Sequence, residues 1–138
     1  MSIEFKGMED VLGMIDKIAS PERLEQSLTK ACLLVERSAK QKAPKGSGDL
    51  RRSITHKVEG LTGTVYTPLE YAPYVEFGTG IFAENGGGRT DVPWTYYDLK
   101  TNSYITTSGS HPHPYMRPAL DENREDIITL LWEGLTSD

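Results

Sequence analysis

The stretch Leu24-Glu25-Gln26-Ser27-Leu28-Thr29-Lys30-Ala31-Cys32-Leu33-Leu34-Val35-Glu36-Arg37-Ser38-Ala39-Lys40 sets the architecture of this chain. Leu24, Leu28, Ala31, Val35 and Ala39 recur at steps of four, three, four and four, which places them on one stripe of an α-helix. Glu25, Gln26, Glu36, Arg37 and Lys40 fall mostly outside that stripe. Ser20 followed by Pro21 marks the start, because a serine oxygen can accept an orphan backbone N–H and proline is preset for the first helical position. Basic residues gather in the last turns, where they suit the negative end of the helix dipole, and Pro44 sets a stop. The spacing therefore predicts a main helix over residues 20–42. Upstream, Val11, Leu12, Ile15 and Ile18 predict a shorter helix over residues 8–18 that Gly13 weakens.

Downstream of a Lys45-Gly46-Ser47-Gly48-Asp49 turn the period falls to two. Ile54, His56 and Val58 alternate with Thr55 and Lys57, Gly60 and Gly63 punctuate, and Thr64-Val65-Tyr66-Thr67 resumes, which predicts a β-hairpin. A third strand is expected over residues 71–77. Residues 78–93 contain Gly86-Gly87-Gly88 and little periodicity, and predict a mobile exposed loop. Trp94-Thr95-Tyr96-Tyr97 and Ser103-Tyr104-Ile105-Thr106 flank a Lys100-Thr101-Asn102 turn and predict a second hairpin. After a proline-rich segment, Ala119, Leu120, Ile127, Leu130, Leu131 and Leu135 can line a closing helix. The expected class is α+β: a small antiparallel sheet packed against a long N-terminal helix, with a C-terminal helix. The expectation is one domain over residues 1–138, carrying a mobile N-terminal arm and the loop 78–93.

The 138 residues fall within the size of one domain, and 37% hydrophobic with 25% charged content is globular rather than disordered. No run of about 18 apolar residues is present to span a bilayer. Met1-Ser2-Ile3-Glu4-Phe5-Lys6 lacks a basic stretch followed by an apolar core, so synthesis in the cytoplasm without a secretory signal is expected. The single Cys32 cannot form an internal disulfide or supply a thiolate cage, and its expected role is that of a small buried side chain. The net charge of −5 disfavours a free-standing nucleic-acid binder. The charge is uneven, however. Arg37, Lys40, Lys42, Lys45, Arg51, Arg52 and Lys57 are opposed locally only by Glu36 and Asp49. Asp121, Glu122, Glu125, Asp126, Glu133 and Asp138 face Arg124 alone. Such polarity can orient one subunit against another, or mark two solvated faces.

Chemical motifs are scarce. The glycines near Gly80 and Gly86 are followed by no Gly-Lys-Ser/Thr and no helix pattern, so a phosphate loop is rejected, and a dinucleotide fingerprint fails for want of alternating βα units. His111 and His113, two apart, can share one side of an extended segment and hold zinc or nickel with His56 or a carboxylate; Pro112 and Pro114 make packing or surface roles the simpler reading. No carboxylate pair or nucleophile motif stands out, so no enzyme activity and no cofactor are expected. Tyr71, Tyr74, Phe77, Trp94, Tyr96 and Tyr97 can stack on nucleobases if exposed, but the expected role is core packing.

Three groups of residues, taken together and in order, resemble a family of small proteins of tailed bacteriophages, the lambdoid siphophage neck or minor tail-component family. The first is Ala43-Pro44, then Gly48-Asp49-Leu50-Arg51-Arg52-Ser53-Ile54. The second and most distinctive is Tyr71-Ala72-Pro73-Tyr74-Val75-Glu76-Phe77-Gly78-Thr79. The third is Pro114-Tyr115-Met116-Arg117-Pro118-Ala119-Leu120, where Tyr115 stands in place of the family's usual phenylalanine. The resemblance spans residues 24–131. It implies a structural subunit of the head-tail connection or head-proximal tail end, assembling as a ring in the virion after synthesis in the host cytoplasm. The implied partners are further copies of the chain, phage head-completion and tail proteins, and genomic DNA passing through the lumen without sequence-specific binding. No enzyme activity, cofactor or membrane is implied.

In that frame Pro44 and Gly48 turn the chain from helix to sheet, and Gly78 ends the third strand. Glu76, between Val75 and Phe77, is expected on the opposite sheet face from them, within reach of Arg51 or Arg52. Pro114 and Pro118 hold an extended approach to the last helix, where Tyr115, Met116 and Ala119 pack. Two other classes are weighed: a nucleic-acid-binding module using the basic residues from Arg37 to Lys57, and a toxin-like or hydrolytic domain using His56, His111 or His113.

Overall fold

The computed structural model describes residues 1–5, 21–46 and 48–136; the expected helix over residues 8–18 and its neighbour Ser20 lie outside them. The described residues divide into two compact units, one formed by Met1–Leu69 with Tyr115–Asp138, the other by Glu70–Pro114. The class is α+β, as the sequence predicts.

The first unit is built on helix α1, Pro21–Lys42, whose 22 residues give a rod of about 33 Å. Leu24, Leu28, Ala31, Cys32, Val35 and Ala39 are buried, which is the predicted stripe with Cys32 added. The helix ends where Ala43 N–H still reaches the Ala39 carbonyl at 2.9 Å and Pro44 offers no donor to continue. A short helix α2, Asp49–Ser53, comes next and places Leu50 in the core. The predicted first hairpin follows as β2, Thr55–Glu59, and β3, Thr62–Tyr66. A strand β1, Ser2–Phe5, lies antiparallel on the other side of β3, so residues assigned by the sequence to an arm complete a three-stranded sheet in the order β1-β3-β2. Val65 of the central strand pairs with both Ile3 and His56 and is fully buried. The sheet packs on α1 through β2 and β3.

The expected single closing helix is two, α4 (Met116–Asp121) and α5 (Arg124–Thr136), separated by a break at which Glu122 and Asn123 N–H groups bond back to Pro118 and Leu120 carbonyls at 2.9 and 3.2 Å. Both helices pack on α1. Ile127, Leu131 and Leu135 form the buried side of α5, and Gly134 lets it approach so closely that an added Cβ would collide with the Ser27 side chain.

The second unit corrects the sequence reading at its first element. Residues 72–77 are not a third strand but a short helix α3, Ala72–Phe77. Pro73 sits in its first turn, where a missing N–H costs nothing, and Tyr71, Tyr74 and Phe77 at steps of three fit a helix better than alternation. Two 3₁₀ turns, Gly80–Phe82 and Glu84–Gly86, occupy part of the expected structureless loop. The second hairpin is as predicted: β4, Trp94–Asp98, pairs with β5, Ser103–Thr107. Asp98 accepts bonds from Lys100 N–H at 3.1 Å and Thr101 Oγ1 at 3.0 Å in the turn, and Tyr97 meets Tyr104 edge-on at 5.1 Å.

Candidate functional site

Within the first unit, the family-like residues gather at the carboxyl end of α1. Gly48 adopts φ 82° and ψ −1°, and its carbonyl accepts the Arg52 N–H at 3.0 Å to open α2. Arg52 pairs with Asp49 at 2.6 Å. Ser53 Oγ bonds to the Leu50 carbonyl at 2.6 Å and to Thr67 Oγ1 at 2.7 Å, tying α2 to the end of β3. Arg51 turns instead toward a surface groove of about 440 Å³ that it shares with Leu33, Glu36, Arg37, Lys40 and Gln41. Arg51 Nε is buried there with no acceptor. Glu36 accepts from His56 Nδ1 at 3.1 Å and lies 3.9 Å from Lys40 Nζ. Tyr115, Met116 and Ala119 are fully buried, and Asn123 Nδ2 caps the Ala119 carbonyl at 2.7 Å. Pro118 sits in the first turn of α4 rather than in the extended approach that the sequence predicts, because a proline's missing N–H costs nothing there.

The basic run does not form one patch. Lys42 pairs with Glu122 at 2.6 Å, Arg52 with Asp49, and Lys57 approaches Glu59 at 3.8 Å while lying 5.7 Å from the centre of the Tyr66 ring. Only Arg37, Lys40 and Arg51 converge on the groove.

In the second unit, Tyr71 precedes α3, Ala72 and Glu76 are fully buried, and Tyr74 and Phe77 are exposed. Residue 76 is helical rather than part of a strand, so the alternation that set Glu76 on the face opposite Val75 and Phe77 does not apply. Gly78 (φ 83°) ends the helix, and Thr79 then pairs with Ser110: N–H to carbonyl at 2.9 Å one way, and Ser110 N–H to Thr79 Oγ1 at 2.9 Å in return. His113 N–H reaches the Val75 carbonyl at 2.8 Å, which seats the segment leading to exposed Pro114. A groove of about 550 Å³ opens between Pro73, Tyr74, Phe77, Ala83, Arg89 and Trp94. Arg89 holds both Asp91 oxygens, at 2.7 and 3.0 Å, and its guanidinium lies 5.0 Å from the Trp94 ring centre. That bond holds the Asp91 carboxyl below its usual range and raises Arg89 further.

The expectation that the aromatics here are core does not hold. Tyr71, Tyr74, Phe77, Ile81, Tyr96, Tyr97, Leu99 and Tyr104 are all exposed, so among the described residues this unit carries eight of the eleven exposed large apolar side chains. The sequence missed Ile81, Leu99 and Tyr104 among these. It also missed Ile128 and Trp132 on α5, each 61% exposed. Their signal was present: with Ile127, Leu131 and Leu135 on the buried face, the next residues rotate by about 100° out of it.

Cys32 is buried, and desolvation, with Glu36 adding charge repulsion, pushes its thiol from 9.0 up to about 11. His111 stacks at 4.0 Å on Phe82, and both His111 and His113 are exposed. Among the described residues no three His, Cys, Asp or Glu side chains converge as metal ligands, and no helix is long and apolar enough to cross a membrane. Among the described residues the geometry offers shallow surface grooves, those at Arg51 and at Trp94 among them.

The comparisons agree with that description. The family described as "Bacteriophage HK97-gp10, putative tail-component" matches residues 7–78, which is more than half of the chain and includes the first motif group and the second as far as Gly78. The chain belongs to this HK97-gp10-like family of bacteriophage tail components. No curated protein and no solved structure matches it.

Proposed function

We propose that the chain is a structural, non-catalytic subunit that assembles as a ring at the head-tail connection or the head-proximal end of the tail. The observation that carries this reading is the exposed apolar surface of the second unit, where eight large side chains stand in 45 residues. Large apolar side chains exposed at this density mark surfaces that meet other molecules, and aromatic residues are enriched where proteins meet. Its occupants in this reading are other phage head-completion and tail proteins, met in the host cytoplasm during assembly and retained in the virion. Genomic DNA passes through the ring lumen without sequence-specific contact. Pro44, Gly48, Leu50, Arg51, Tyr115, Pro118 and Ala119 shape the first unit for this role. Tyr71, Ala72, Glu76, Phe77, Gly78, Thr79 and Pro114 shape the second. The nucleic-acid alternative is weaker, since Lys42, Arg52 and Lys57 each have an acidic neighbour.

The test is removal of the gene product from the source phage or prophage, followed by negative-stain electron microscopy. Separated full heads and tails are the expected result. Joined, infectious particles would refute the reading.

A further inference from the structure

We propose that the groove on α1 and α2 receives helix α5 of a second copy of this chain, an assignment of surfaces that rests on the ring reading above. Three observations bear on the groove. It combines cations, Arg37, Lys40 and Arg51, with an exposed apolar side chain, Leu33, at 41% exposure. Arg51 lines the groove with its Nε buried without an acceptor, which is costly for a charged donor and adds to the positive potential there. Glu36 lies among the cations and is engaged with His56 and Lys40, so the site suits one or two carboxylates rather than a polyphosphate track.

The chain itself carries the complementary surface. On α5, Glu125, Ile128, Thr129 and Trp132 follow at steps of three, one and three, and so form one exposed stripe. The first turn of the helix is acidic, with Glu125 and Asp126. The stripe thus offers an acid at one end and a large apolar anchor two turns away, matching a groove with cations and Leu33. An arginine groove also suits Trp132 directly, because guanidinium groups stack on indole faces. A DNA ligand would have no use for Leu33 or Trp132, and an overall charge of −5 opposes it. Groove and stripe are different patches on one unit, so the contact runs head to tail, the kind that closes into a ring when the rotation permits.

The test uses the full chain in sedimentation velocity over a concentration series reaching about 1 mM. Arg37→Glu and Trp132→Asp change exposed positions and leave the fold in place, which unchanged thermal unfolding verifies. Each alone is expected to weaken self-association roughly 30-fold or more. Mixed in equal amounts, they form a dimer and stop there, because each retains one working surface. Tyr104→Asp, on the second unit, associates as wild type does. Wild-type behaviour of both Arg37→Glu and Trp132→Asp overturns the proposal, as does a wild-type chain that stays monomeric throughout. If Tyr104→Asp alone abolishes association, this contact falls while the ring reading stands. Binding to a DNA duplex that Arg37→Glu removes, with self-association intact, assigns the groove to nucleic acid and likewise overturns it.

Discussion

Replacing Gly80 by alanine tests how the second unit is held together. Gly80 has φ +61°, and a Cβ there would run into the Ser108 carbonyl and lie 2.8 Å from Gly109 Cα. The flanking backbone is where the segment after α3 meets the segment after β5, through Thr79 N–H to Ser110 O at 2.9 Å and Ile81 N–H to Ser108 O at 3.1 Å. An L-residue in the left-handed region costs about 1 to 2 kcal/mol. Forcing a methyl group into backbone adds about 1 to 3 kcal/mol. The sum, about 2 to 5 kcal/mol, is expected to fall on local rather than global stability, because the first unit has its own core. Gly86 provides the control: its φ is +65°, yet nothing lies within 4 Å of its added Cβ, so Gly86→Ala carries only the conformational part. Amide hydrogen exchange reads the difference. In Gly80→Ala the Thr79 and Ile81 amides lose protection by roughly 30-fold or more, while Val65 in β3 keeps its own. Equal protection in Gly80→Ala and Gly86→Ala would refute the steric argument, and a matching loss at Val65 would refute the independence of the two units.

Three further outcomes follow from the same structure. Leu28, 1% exposed in the α1 stripe, should cost about 2 to 5 kcal/mol when cut to alanine, measured by urea unfolding, and a loss below about 1 kcal/mol would contradict its place in the core. With its thiol raised to about 11, Cys32 should resist alkylation at pH 8 in the folded chain and react on unfolding; because the folded value lies above the ordinary 9.0, the stability from burying the neutral thiol is intact below pH 9 and declines between pH 9 and 11. Glu76 is fully buried, so Glu76→Lys should destabilise by about 3 kcal/mol or more in urea unfolding, and a variant as stable as wild type would show the site to be solvated.

The parts of the fold that were legible in the sequence are those with a long, uninterrupted period. Helix α1 carries its stripe over about four turns, and the β2–β3 and β4–β5 hairpins combine alternation with a turn. Helix α3 was not legible because six residues hold less than two turns, and Tyr, Val and Phe also favour strands. Pro73 was the overlooked cue. Strand β1 is four residues long and acquires its identity only from Val65 and its neighbours across the ladder. The exposure of Tyr96, Tyr97 and Tyr104 was illegible for a different reason: alternation says that a strand has two faces, not that anything covers either one. Similarly, the basic run was plain in sequence, but only the fold shows that Glu122, Asp49 and Glu59 draw Lys42, Arg52 and Lys57 away from Arg37, Lys40 and Arg51.

Helix α1 buries its stripe against α5, yet 45 residues of the other unit and α4 are translated between the sheet and that partner. At ribosomal speeds the roughly 90 residues from Lys42 to Leu135 take about 5 to 20 s to emerge. Throughout that interval Leu24, Leu28 and Ala31 lack their lid, and the nascent chain is a client for chaperones and proteases. A chain cut before Ile127 leaves the α1 stripe without its α5 cover. The discontinuous core thus ties the folding of the first unit to residues on both sides of the second in the sequence.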